Sequence, residues 1–134
     1  MTIYPTIKRI LDFTISLFLI ALTLPIQVIL FIGSTLSTQS FGIFVQSRVG
    51  YKAKEFNLYK FKSMTDSKTN IDFQTSIGDP RITVWGKYIR RSKLDELPQL
   101  FNVLVGDMSF VGPRPDVKGY AEKLNKEQYY LHLV

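Results

Sequence analysis

Cysteine is absent from this chain, which excludes disulfides and thiolate-held metals and fits a reducing compartment such as the cytosolic side of a membrane. Histidine occurs once, at His132. A lone imidazole reads as solvated or packed rather than as a metal ligand. Charge is missing over a long stretch, because no ionisable side chain lies between Asp12 and Arg48. The charge is concentrated elsewhere: Lys+Arg number 17 against 11 Asp+Glu, for a net +6, and Arg48 to Lys93 holds eleven basic residues against four acidic ones. Such an excess favours anionic partners, whether nucleic acid, anionic lipid or a nucleotide. With 46% hydrophobic and 21% charged residues over 134 positions, wholesale disorder is excluded and one domain is expected.

The uncharged gap contains a membrane segment. Phe13 to Ile32 is an apolar run of 20 residues, matching the about 20 that a bilayer helix needs. The run is too long for a secretory signal and lacks a small-residue cleavage site. Pro25 interrupts it, removing one backbone bond and clashing with the carbonyl four residues back, so a kink is expected. One topology spans the bilayer with Pro25 tolerated. The other bends at Pro25 and returns to the side it came from. Lys8 and Arg9 precede the run, and Lys52, Lys54, Lys60 and Lys62 follow it. The positive-inside rule therefore pulls both flanks toward the cytoplasm, which frustrates a spanning helix and suits a re-entrant one. Asp12 sits four residues from Lys8, a spacing that allows an ion pair at the interface. The same uncharged run argues against a basic nucleic-acid binder, so no nucleic acid is expected as a partner.

Beyond the membrane segment, Phe41 to Val49 and Glu55 to Lys62 are rich in aromatic and β-branched residues. A glycine-containing turn, Gly50 to Lys54, joins them into an expected β-hairpin. Ser63 to Gly78 is polar and reads as a loop, either a plain surface connection or one that closes over a substrate. Asp79-Pro80 predicts the start of a helix, with Asp79 as N-cap and Pro80 at the first helical position. Ile82, Trp85 and Ile89 then share one face. That helix either packs on a core or lies in the membrane interface with Trp85 and Tyr88 at headgroup level.

The segment Leu94 to Pro115, LDELPQLFNVLVGDMSFVGPRP, carries an adjacent carboxylate pair and a rigid cationic turn. Ser92 to Asp95 fits a capping box, which would make Asp95 purely structural. Pro98 opposes that reading, since it would then fall inside the hydrogen-bonded ladder. With Asp95 near the N-cap, Pro98 falls in the first turn and the helix runs to about Val105, with Gly106 as its stop. A helix N-terminus would favour an ionised Asp95 and nearby phosphate oxygens. Glu96 is an oxygen ligand of the kind magnesium takes, and Arg90 and Arg114 can fork onto phosphate oxygens.

LDELPQLFNVLVGDMSFVGPRP, preceded by DPRITVWGKYIRRS and QSRVGYKAKEFNLYKFKSM, resembles the bacterial sugar transferase family, the monotopic phosphoglycosyl transferases, from about Lys8 onward. The resemblance implies transfer of a sugar-1-phosphate from a UDP-sugar to polyprenyl (undecaprenyl) phosphate at the cytoplasmic face of the bacterial inner membrane. Polyprenyl-diphosphate-sugar and UMP would result, beginning a capsule, exopolysaccharide, O-antigen (lipopolysaccharide) or glycoprotein glycan. It implies Asp95 as nucleophile and Glu96 as the Mg2+-associated carboxylate. It further implies Arg90, Pro113, Arg114 and Pro115 as substrate-binding residues and Pro25 as the bend of a re-entrant membrane helix.

The expected fold is thus a mainly helical, membrane-associated monotopic α+β domain. A re-entrant, Pro-kinked helix hairpin over residues 1–40 precedes a cytoplasmic catalytic domain over 41–134, built from a small β-hairpin and interfacial helices. Three departures from the family pattern stand out. Leu24 replaces a serine before the membrane proline; KFKSM replaces a KFRTM-like segment; and the family's Pro-Gly-Ile-Thr-Gly segment, a further arginine and helices are not found before Val134. The last implies a catalytic domain truncated relative to the family. Its alternative function is that of a catalytically inactive membrane-anchored fragment or scaffold of the same family.

Overall fold

A computed structural model of the chain describes residues 3–50, 54–66, 79–112 and 115–117. Within them the order is α1 (Ile3–Thr38), β1 (Ile43–Val49), β2 (Glu55–Phe61), α2 (Val84–Arg91), a single 3-10 turn (Leu94–Glu96), α3 (Gln99–Val105) and β3 (Asp116–Val117). The sheet order is β2-β1-β3, with β3 antiparallel to β1 through Arg48↔Val117 and Val49↔Asp116. The expected hairpin and the mainly helical α+β class are therefore present. The centre of the Gly50–Lys54 turn and most of the polar loop (67–78) lie outside the described residues.

Helix α1 is continuous through Pro25. Its polarity is inverted relative to a helix in water: Asp12, Ser16, Gln27, Ser34 and Thr38 are buried, while Phe18, Leu22, Ile29 and Leu36 are exposed. A soluble amphipathic helix buries its apolar stripe, so the uncovered side of α1 is suited to lipid. Residues Thr6–Thr38 are long and apolar enough to cross a membrane. Hydroxyls along it return to the helix backbone: Thr14 donates to the Ile10 carbonyl at 2.8 Å, Thr23 to Leu19 at 2.6 Å and Thr35 to Phe31 at 2.9 Å. These three donors are thereby kept from hydrocarbon, whereas the buried Ser34 hydroxyl has no partner among the described residues.

The chain packs as two units. The first comprises Met1–Thr23, Val45–Tyr59 and Gln99–Val134. Here Asn102, fully buried in α3, donates its amide to the Asn57 carbonyl at 2.7 Å and accepts from the Tyr59 amide at 3.2 Å, behaving like another strand beside β2. Gly106 adopts φ +102 and ends α3, as its position in the sequence predicts. Arg9 donates to the Val103 and Leu104 carbonyls at 2.7 Å each, supplying a cation where α3 leaves carbonyls unpaired. The expected Lys8–Asp12 pair does not form: Lys8 donates to the Val111 carbonyl at 2.6 Å, and Asp12 accepts from the Phe110 amide at 3.4 Å. Both side chains gain more from groups on the segment after α3 than from each other, since an exposed i,i+4 ion pair contributes only about 0.3–0.5 kcal/mol.

The second unit comprises Leu24–Phe44 and Lys60–Pro98. Its core is Leu30, Phe61 and Ile89, with Phe31, Ile43, Trp85, Leu94 and Leu97 packed around them. Helix α2 begins four residues later than Asp79-Pro80 predicts. Thr83 is its N-cap, accepting from the Gly86 amide at 2.8 Å. The carboxylate of Asp79 is instead taken by Arg81, through its backbone amide and Nε at 3.0 Å each and through a terminal nitrogen at 2.6 Å. Ile82 pairs with Met64 in an antiparallel bridge, and that extended backbone postpones the helix to Val84. Of the three residues predicted to share a face, Trp85 and Ile89 pack inward from α2, and Ile82 precedes the helix. Of the two readings of this helix, packing on a core holds for Trp85 and Ile89, while Tyr88 is exposed.

Candidate active site

The carboxylate pair lies wholly in the second unit, and the turn that presents it is built by what precedes it. Ser92 closes α2, its hydroxyl donating to the Tyr88 and Ile89 carbonyls at 3.0 and 3.2 Å. Being spent on the end of one helix, that hydroxyl does not box the start of another. Lys93 then turns the chain through a left-handed conformation at φ +60, and Leu94–Glu96 forms the 3-10 turn. Leu94 and Leu97, three apart, eclipse in such a turn, and both pack on the Leu30–Phe61–Ile89 core. Their anchoring sets the orientation of Asp95 and Glu96 between them.

Asp95 is not at the mouth of α3. That helix starts at Gln99, directly after the buried Pro98, and spans only seven residues. The expected dipole assistance therefore does not act on Asp95, and the carboxyl responds to other forces. Burial, followed by the neighbouring charge of Glu96, raises its pKa above the ordinary carboxylate value, while Lys60 and Arg90 pull in the opposite direction. Among the described residues, Asp95 Oδ1 is buried and has no hydrogen-bond partner. An ionised oxygen of this kind is poorly solvated, and both its raised basicity and its lost hydration make it a stronger nucleophile.

Glu96 is held differently. Lys60 Nζ lies 3.1 Å from its Oε1, with the lysine side chain 20% and the glutamate side chain 34% exposed. Arg90, on the last turn of α2, donates to Met64 Sδ at 3.4 Å. The Met64–Ile82 bridge is in turn backed by the Thr65 amide donating to the Arg81 carbonyl at 2.9 Å. Beside it, the Arg81 guanidinium and amide hold the Asp79 carboxyl at a pKa of about 2. That carboxylate is a fixed anion paired to Arg81 and no candidate for proton transfer near neutral pH.

The structure thus brings Asp95, Glu96 and Arg90 into one electrostatic neighbourhood, as the sequence predicts, and adds Lys60. One sign of Lys60 was present in the sequence: in β2, Phe56 and Leu58 are buried in alternation, and Lys60 follows where that alternation asks for another apolar residue. Pro113 and Arg114 lie outside the described residues. Pro115 belongs to the first unit, its carbonyl accepting from Arg48 at 3.2 Å.

No group of three or more His, Cys, Asp or Glu side chains converges among the described residues. The donor set that does exist is one buried carboxylate oxygen without a partner and an adjacent glutamate. It fits a magnesium ion, which commonly takes one or two carboxylates and completes its shell with water and substrate phosphates.

The chain is similar to known proteins over most of its length. The family model described as "Bacterial sugar transferase" matches residues 3–134. A Bacillus subtilis (strain 168) protein named "Putative undecaprenyl-phosphate N-acetylgalactosaminyl 1-phosphate transferase" is 43% identical over 125 residues, covering 92% of this chain and 70% of that protein. An undecaprenyl-phosphate glucose phosphotransferase of Komagataeibacter xylinus is 44% identical over 110 residues, covering 81% of this chain but 21% of its own length. The undecaprenyl-phosphate galactose phosphotransferase of Salmonella typhimurium is 37% identical over 143 residues, covering 93% and 30% respectively. The chain therefore spans under a third of the length of the latter two.

Proposed function

This chain belongs to the bacterial sugar transferase family, a family of phosphoglycosyl transferases, and we propose that it moves a sugar-1-phosphate from a UDP-sugar to polyprenyl phosphate. The observation that carries this reading is the half-buried Asp95, one oxygen of which has no partner among the described residues, flanked by Glu96 and by the cations Lys60 and Arg90. Asp95 attacks the sugar-linked phosphorus of the donor. A new P–O bond forms to the carboxylate as the bond to UMP breaks, and UMP departs with the electron pair. An oxygen of polyprenyl phosphate then attacks the same phosphorus and expels the Asp95 carboxylate, regenerating the enzyme. The lipid diphosphate-sugar is the first intermediate of a surface glycan such as a capsule, exopolysaccharide or O-antigen.

Approach of a carboxylate to a diphosphate is opposed by about 4 kcal/mol per unit-charge pair at 4 Å and an effective dielectric of 20. Arg90 and Lys60 offset this by binding phosphate oxygens. Glu96, with Asp95 beside it, would hold magnesium, which when bound supplies further positive charge against the phosphates. The expected result is that membranes containing this chain, given polyprenyl phosphate, magnesium and a panel of radiolabelled UDP-sugars, yield organic-extractable, lipid-linked label with one or a few donors. No lipid-linked label from any donor, with the protein present and folded, would point to the inactive scaffold instead.

The membrane arrangement that suits this reaction keeps both ends of α1 on the cytoplasmic side. Its support is the cationic residues on both flanks of the uncharged run. Because the chain has no native cysteine, single cysteines at Thr2 and at Lys54 report without background. Both should react with a membrane-impermeant maleimide in inverted vesicles and in neither case from the periplasmic side of intact spheroplasts. Periplasmic labelling of either position establishes a spanning helix.

A further inference from the structure

Among the described residues, the charges at the site balance when both carboxylates are ionised. Asp95 and Glu96 contribute two negative charges when ionised, and among the described residues Lys60 and Arg90 are the cations whose fields reach Asp95. The Lys60 ammonium is placed on Glu96 itself, at 3.1 Å, and both side chains are partly withdrawn from water. Lys60 is also held from behind. The next residue in β2, Phe61, is buried in the core, and the Lys62 amide donates to the Gly42 carbonyl at 2.8 Å. Only the four-carbon stem of Lys60 remains free to move, and it carries a compact point charge with three donors.

A site of this composition has little attraction for a free divalent cation, because the nearest carboxylate already has a counter-ion. Arrival of a diphosphate adds about two negative charges and changes the balance. We infer that Lys60 is the resident counter-ion of Glu96, holding it while the donor is absent and passing to a phosphate oxygen of the donor when it binds, so that a divalent cation is taken up together with the nucleotide and not before it. This rests on the phosphosugar-transfer reading of the site. It makes Lys60 both a substrate-binding residue and the group that sets the order of assembly.

Mn2+ is a suitable probe, since its free and bound forms are distinguished by electron paramagnetic resonance without any turnover. The purified chain in nanodiscs should bind Mn2+ weakly alone and at least about tenfold more tightly when saturated with UDP, the difference a pair of added charges near the site brings. Lys60→Met keeps the stem and removes the ammonium. It should tighten nucleotide-free Mn2+ binding by about tenfold and shrink the UDP effect. In turnover it should raise KM for the UDP-sugar, with Lys60→Arg restoring most of the loss.

Equal Mn2+ affinity with and without UDP in the wild-type chain overturns the inference, and that measurement depends on no variant. So does a folded Lys60→Met protein whose nucleotide-free Mn2+ affinity is unchanged or weaker. The two readings fail separately: lipid-linked label together with UDP-independent Mn2+ binding removes only the role of Lys60, whereas absence of transfer removes the activity and leaves the metal titration standing.

Discussion

Asp95→Asn should reduce sugar-phosphate transfer by at least about 10^3-fold, the scale of loss when a covalent nucleophile is removed, while the protein stays folded and in the membrane. Asparagine keeps the shape and can occupy the same turn between Leu94 and Leu97, but its amide has no charge with which to attack phosphorus. The second readout is stability, and its sign follows from the pKa. Asp95 is raised in the folded state, by burial first and by Glu96 second, so the fold binds its proton more tightly than the unfolded chain does. Wild-type stability should therefore increase as pH falls through that raised value, and near neutral pH the ionised carboxylate weakens the fold. Removing the charge should leave the melting temperature unchanged or higher, a stability gained at the expense of function. Rate measured on lipid-linked product and melting measured in the same nanodiscs decide the matter. Retained turnover in Asp95→Asn would end the nucleophile assignment. A large fall in melting temperature would mean that Asp95 is structural.

The other large effect is expected at a residue that carries no functional group. Gly86 is buried in α2, and an added Cβ there would run into the backbone carbonyl of Ser63. Glycine within a helix costs about 1 kcal/mol relative to alanine, so its presence reflects this close approach. The same Ser63 carbonyl accepts the Thr83 amide at 3.2 Å, which seats the start of α2 on the chain leaving β2. Gly86→Val would push α2 off that seat and lift Ile89 out of the core it fills. Overpacking typically costs about 1–3 kcal/mol. Here the colliding partner is backbone rather than a flexible side chain, so a loss above that range is expected. Transfer should disappear with the fold, because α2 carries Arg90 and leads directly into Asp95. A melt of the variant in nanodiscs tests this, with Gly112→Val as the control, since among the described residues nothing lies within 4 Å of a Cβ at Gly112. A wild-type melting profile for Gly86→Val would refute the close contact.

Some features were legible because local chemistry alone decides them. A 20-residue uncharged run with proline in its middle leaves few options but a membrane helix. The β-hairpin follows from two β-rich runs around a glycine turn, and Gly106 ends α3 because it reaches φ +102 without strain. The juxtaposition of Arg90, Asp95 and Glu96 was also readable, as five residues of chain ending a helix and forming one turn cannot separate them far.

What misled the sequence reading had a common physical origin. Asp79 looks like a cap, but a cap is defined by which amides remain unpaired, and Arg81 takes its oxygens while Ile82 is drawn into a bridge with Met64. Asp95 looks like an acid poised by a helix dipole, but the following helix begins only at Gln99. Its environment is set by burial and then by Glu96, with Lys60, 35 residues earlier in the chain, acting against them.

The sequence by itself determined that this chain is a membrane-associated α+β domain of the bacterial sugar transferase family, with a carboxylate pair as its chemical signature. Those conclusions rest on composition, spacing and contiguous motifs, which are properties of neighbours along the chain. Tertiary structure alone decided that Asp95 is desolvated rather than dipole-stabilised, that α1 turns its polar stripe inward, and that Lys60 faces Glu96. Desolvation and through-space charge depend on which distant segments are brought together, and packing on the Leu30–Phe61–Ile89 core is what brings them.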